Sequence, residues 1–167
     1  AVEKGKAAIF FSAPLGNWEL AGAYAAKVGY PITFVVGSQA NKEIEEIIDR
    51  HRRSAGIKII KKSNANREVI KPLREKRFIA MMIDQDAHQA GIHVPFFGQP
   101  ASTPRGVAVF ALKMKPAIIG MTTYRSGDGV IHVRLHEVNF EASGDKKQDI
   151  YELTLVMTKI IEEGIRK

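Results

Sequence analysis

The chain predicts a single α/β domain: a mixed, mostly parallel sheet flanked by helices. Three features predict it. Short apolar runs alternate with helical segments along the whole length. One run, Phe78–Ile83, is apolar almost without interruption, as expected of a strand buried on both faces. The length of 167 residues suits one domain, 1–167, with enough chain to bury a core.

The elements follow in order. Ala7–Ala13 is an apolar run stopped by Pro14, and Asn17 is placed to cap a helix through Lys27. Gly29-Tyr30-Pro31 breaks that helix, and Ile32–Val36 forms the second strand. Asn41 caps the next helix, which carries Ile44, Ile47 and Ile48 on one face, the face expected to meet the core. Its acidic residues come first and its basic residues last, in agreement with the macrodipole, and Gly56 ends it. Ile57–Ile60 is a third strand. Asn64–Lys76 forms a weak helix, because Pro72 lacks a backbone donor.

Phe78–Ile83 then delivers Asp84-Gln85-Asp86 to its C-terminal end. Ala87–Ala101 is expected to be a long loop, and a segment of that length between elements tends to carry function. A helix should open at Ser102-Thr103-Pro104, a hydroxyl cap followed by proline. Ala117–Tyr124 and Val130–Val138 flank the turn Ser126–Gly129 as a hairpin, and Lys146–Arg166 is the last helix.

The composition is ordinary for a globular fold, with 45% hydrophobic and 26% charged residues. There is no cysteine, which excludes disulfides and thiolate metal sites. No apolar run reaches the ~20 residues needed to cross a bilayer. The start lacks a signal-peptide pattern and lies close to the first strand, as expected of an excised domain whose anchor lies outside it. The formal charge of +7 favours anionic partners such as phosphorylated lipids or a membrane surface. Eight cations between Lys58 and Arg77 have no interleaved aromatics to stack bases, which argues against nucleic acid.

Ligands in open α/β sheets bind outside the carboxyl ends of the strands. The segments there read S-A-P-L-G-N-W-E-L (Ser12–Leu20), V-V-G-S-Q-A-N-K (Val35–Lys42), D-Q-D (Asp84–Asp86) and V-P-F-F-G-Q-P-A-S-T-P-R-G (Val94–Gly106). Their joint order and spacing, from about Lys4 to Arg166, resemble the bacterial lipid A lauroyl/myristoyl acyltransferase family. The resemblance implies transfer of a fatty acyl group from acyl carrier protein, or another acyl thioester donor, to a hydroxyl of an anionic glycolipid. It implies no cofactor and no metal, and a place on the cytoplasmic face of the inner membrane.

In that family a histidine, four intervening residues and an acid form the catalytic pair. An alcohol attacking a thioester needs a base to take its proton, and a carboxylate holds the imidazole in the useful tautomer. This chain keeps the acid as Glu19, while Pro14 stands where the resemblance places the histidine. Gly37 stands where many members carry an arginine before a proline. The resemblance makes Asn17, Asn41, Asp84, Gln85, Phe96, Phe97, Gly98 and Thr103 substrate-binding residues. His93 and His88 are candidate substitute bases. If Pro14 is the limiting defect, Pro14→His should restore transfer.

Two other readings compete. A lipid-binding pseudoenzyme would keep the pocket without the base. Asp84 and Asp86 also form a D-x-D pattern, as in glycosyltransferases that hold Mg²⁺ or Mn²⁺ on a nucleotide sugar. His132 and His136 lie i and i+4 on a strand, about 13 Å apart, too far to share a metal ion. His51 sits amid helix surface charge. Trp18 is expected to pack rather than to touch substrate.

Overall fold

The computed structural model describes residues 5–166. The first residue of the family resemblance, Lys4, and the ends of the expected domain 1–167 lie outside them. The strands are β1 (Ala8–Ser12), β2 (Ile32–Val36), β3 (Lys58–Lys61), β4 (Phe78–Met82), β5 (Ile92–Phe96), β6 (Gln99–Thr103), β7 (Ala117–Arg125) and β8 (Ile131–Val138). The helices are α1 (Trp18–Lys27), α2 (Lys42–Ser54), α3 (Ala65–Glu68), α4 (Ile70–Arg74), α5 (Gly106–Met114) and α6 (Lys146–Ile165).

Six strands form one sheet in the order β3-β2-β4-β1-β7-β8, parallel except for the β7–β8 hairpin. The period of two along each strand divides the core into two layers. Ile9, Phe11 and Ile79 meet Val107, Phe110, Leu153 and Met157 of α5 and α6 on one face. Ala8, Phe34 and Phe78 meet α1 through Trp18, Ala23 and Ala26 on the other. Gly22 lets α1 approach closely, since a Cβ there would lie 2.2 Å from the Phe34 ring.

Three expectations are corrected. The segment Ala87–Ala101 is not an irregular loop. It holds a short 3-10 turn at His88–Ala90 and then β5, which pairs antiparallel with β6 as a separate ribbon. The two residues at its tip, Phe97 and Gly98, both have positive φ (49° and 79°), as a two-residue hairpin turn requires. Pro95 and Pro100 face each other across this ribbon. In a two-stranded ribbon each strand has a free edge, so prolines cost no central ladder bond.

The helix after the ribbon opens later than Ser102-Thr103-Pro104. Thr103 ends β6, and α5 starts at Gly106 with Arg105 before it and no side-chain cap.

The third correction concerns the inward face of α2. Ile44 and Ile47 are about half exposed (50% and 46%), whereas Asp49 is buried. Asp49 accepts from Lys61 Nζ at 2.6 Å and from Arg52 Nη1 at 3.2 Å. Lys61 also pairs with Glu45, and that contact is the leading cause that lowers the Glu45 carboxyl from 4.5 to about 2. A paired charge network from Glu45 and Asp49 to Lys61 links this helix to β3.

Three local expectations hold, at Asn17, Asn41 and Pro72. Asn17 caps α1, accepting from the Leu20 N–H at 3.0 Å. Asn41 caps α2, accepting from Glu43 and Ile44 at 2.9 and 3.2 Å. Pro72 lies in a helical stretch broken into α3 and α4. No helix among the described residues is long and apolar enough to cross a membrane.

Candidate functional site

Two large cavities lie at the C-terminal ends of the parallel strands. The first, about 750 Å³, is walled by the end of β4, the β5–β6 ribbon and the later part of α6. Asp84, Gln85, Asp86, His88 and His93 are among its lining residues, together with Phe96, Thr103 and Ile161. The second, about 700 Å³, is walled by β2, β4, α5 and the start of α6. Trp18, Val36, Met81, Val107, Phe110 and Ile150 make much of its surface apolar. Its charged residues are Arg52, Lys62, Arg105 and Lys146, with no acidic side chain among the lining residues. Both volumes fall within the ~300–1,000 Å³ common for small-molecule sites.

The cavities meet at Ile83 and Gln85, which line both. Gln85 Oε1 faces Lys62 Nζ at 3.5 Å, so the amide stands between the acidic side and the basic one. Burial of the carboxyl raises Asp84 above the ordinary carboxylate value.

The first cavity contains a carboxylate–imidazole pair. Asp86 Oδ2 lies 3.1 Å from His88 Nδ1, and Asp86 Oδ1 accepts from the His88 backbone N–H at 2.8 Å. His88 has φ +49°, and its carbonyl accepts from Ser102 Oγ at 2.6 Å. His93 lines the same cavity from β5.

The β1–α1 loop is arranged differently. Ser12 Oγ donates to the Met121 carbonyl at 2.7 Å, and the Thr123 hydroxyl donates to the Leu15 carbonyl. Gly16, at φ +59°, lies so close to β7 that a Cβ would meet the Thr123 carbonyl oxygen at 2.5 Å. Pro14 is exposed, and neither Pro14 nor Glu19 lines either large cavity. Glu19 is instead bound by Arg52, whose Nε donates to both carboxylate oxygens at 3.2 Å. The same guanidinium lies over Trp18 (5.7 Å) and Phe34 (6.0 Å). Trp18 packs against Phe34 and also lines the second cavity, so its position supports both a packing and a contact role.

The sequence-derived candidates therefore separate. Asp84, Gln85, Phe96, Thr103, His88 and His93 come together at the first cavity. Asn17 and Asn41 serve as helix caps and line neither cavity. Phe97 and Gly98 form the ribbon tip, where the Phe97 N–H donates to Glu162 at 2.8 Å and the ring stacks under Arg166. Arg52, Lys62, Arg105 and Lys146 were not predicted as a set, because they come from four separate segments. Among the described residues no three His, Cys, Asp or Glu side chains gather to hold a metal ion. His132 stacks on Tyr124 and contacts Ser126, away from both large cavities.

Comparison with known proteins agrees with the strand-end motifs. Residues 1–167 match the family described as bacterial lipid A biosynthesis acyltransferase. The chain is similar to the phosphatidylinositol mannoside acyltransferase of Mycolicibacterium smegmatis, 26% identical over 133 residues that cover 77% of this chain and 44% of the relative. It is also similar to the phosphatidylinositol mannoside acyltransferases of two strains of Mycobacterium tuberculosis, 27% identical over 118 residues that cover 68% of this chain and 37% of each relative. The chain thus spans less than half the length of these curated relatives. With the whole sequence matched and the α/β fold in place, this chain belongs to the bacterial lipid A biosynthesis acyltransferase family.

Proposed function

We propose that this domain transfers a fatty acyl group from an acyl thioester to a hydroxyl of a phosphate-bearing glycolipid. The observation that carries the reading is the pair of cavities of opposite character meeting at Gln85. Apolar walls with Lys62, Arg105 and Lys146 and no acid suit an acyl chain joined to an anionic carrier, acyl carrier protein or a coenzyme thioester. Carboxylates and an amide suit a polyhydroxylated headgroup, since each carboxylate oxygen accepts from sugar hydroxyls. A lipid A precursor and a phosphatidylinositol mannoside both meet this description, and the names of the relatives favour the second. The excess of positive charge would hold the domain at an anionic membrane surface, on the cytoplasmic face of the inner membrane.

Binding of palmitoyl-CoA tests the donor assignment. Arg105→Ala and Lys146→Ala should each weaken binding about tenfold, the scale of one lost charge-assisted contact. Equal affinity in the wild type and in a Lys62→Ala/Arg105→Ala/Lys146→Ala variant would remove the second cavity as the donor site.

One observation favours a second reading, a lipid-binding pseudoenzyme: Pro14 has no group that accepts a proton. On that reading palmitoyl-CoA binds, and incubation with phosphatidylinositol mannoside releases no free CoA.

A further inference from the structure

We infer that His88, oriented by Asp86, is the general base of acyl transfer in this chain, in a position that owes nothing to the motif at Pro14–Glu19. The inference rests on the transfer reading above. Its physical basis is the pair itself. Asp86 Oδ2 at 3.1 Å fixes the proton of His88 on Nδ1, which leaves Nε2 as the acceptor. The ring is 83% exposed, so an incoming hydroxyl can reach it, and it lines the cavity that carries the other carboxylates.

The backbone supplies the second argument. A φ of +49° is a left-handed backbone conformation that most residues with a Cβ avoid. Here it is held by two bonds, from the His88 N–H to Asp86 and from Ser102 to the His88 carbonyl. These bonds hold the imidazole at the wall of the first cavity, beside Asp86. His93, on regular β5, makes no side-chain hydrogen bond to a carboxylate among the described residues and has nothing to fix its tautomer.

The step balances without any further reagent. The acceptor oxygen attacks the thioester carbonyl as its proton passes to His88 Nε2. The tetrahedral intermediate collapses, the C–S bond breaks, and the proton leaves on the thiol. His88 returns to the neutral form, and a C–O ester bond has replaced the C–S bond.

The experiment follows CoA release by the intact protein, with palmitoyl-CoA as donor and phosphatidylinositol mannoside as acceptor. His88→Asn keeps a residue that tolerates the left-handed backbone while removing the base. It should lower kcat at least 100-fold, the lower range for a lost general base, with palmitoyl-CoA affinity within twofold of wild type. His88→Gly should recover at least tenfold on addition of imidazole, a response that a structural role would not give. If His88→Asn stays within threefold of wild type, the base assignment is wrong and the transfer reading stands. If the wild type binds palmitoyl-CoA and releases no CoA, both are wrong.

Discussion

The loops that follow β1 and β4 leave neighbouring parallel strands, joined by the Ile83 N–H donating to the Ser12 carbonyl at 3.0 Å, yet they are built for different tasks. After β1 most of the polar groups bond to neighbouring elements of the fold. Thr123 and Gly16 clamp the turn, Asn17 caps α1, and Arg52 takes the Glu19 carboxylate. After β4 the polar groups face a cavity, and a carboxylate and an imidazole are held together at its wall. The difference is that the motif after β1 serves the architecture of the loop, whereas the groups after β4 are presented to a cavity. Glu19, which the family resemblance makes a catalytic acid, has the surroundings of a salt-bridge residue.

Substitutions on each side separate the two roles. After the loss at His88, the largest effect is expected at Asp86. Asp86→Asn keeps the shape and removes the charge that stabilises an imidazolium, so kcat should fall about tenfold with little change in donor affinity. A rate unchanged by Asp86→Asn would detach the carboxylate from the imidazole.

On the β1 side the expected currency is stability. Glu19→Gln leaves Arg52, only 11% exposed, with a weaker partner, and should cost about 1–2 kcal/mol in urea unfolding. Turnover should fall less than threefold; a loss of 100-fold with unchanged stability would return the chemistry to Glu19.

The network behind Arg52 gives a smaller, pH-dependent effect. The folded Glu45 carboxyl lies at about 2 against an ordinary 4.5, so its stabilisation is fully present above pH ~4.5 and is lost as pH falls toward 2. Lys61→Met should therefore be less stable than wild type at pH 7, with the gap narrowing between pH 4.5 and 2. A gap that stays constant on acidification would mean that Lys61 acts through packing alone.

Much of the fold was legible because its signals are local. Apolar runs of four to eight residues marked the parallel strands, and Asn17 and Asn41 marked helix starts that the structure confirms. The ribbon was missed because Pro95 and Pro100 argue against strands, and only the pairing of two free-edged strands removes that objection. The inward face of α2 was misjudged because its partners lie far along the chain, with Arg52 and Glu19 separated by 33 residues. The residues gathered at the first cavity followed from motif position, whereas the Asp86–His88 contact depends on the left-handed backbone at His88. The cationic wall of the second cavity needed the fold to assemble it.

The smallest expected effect gives the most direct test. CoA release should be measured side by side for the wild type and Pro14→His, with palmitoyl-CoA and phosphatidylinositol mannoside. With the reaction centred after β4 and Glu19 held by Arg52, the wild type should be active and Pro14→His should change its rate less than threefold. An inactive wild type that gains at least 100-fold from Pro14→His would contradict the account and place the chemistry back at the end of β1.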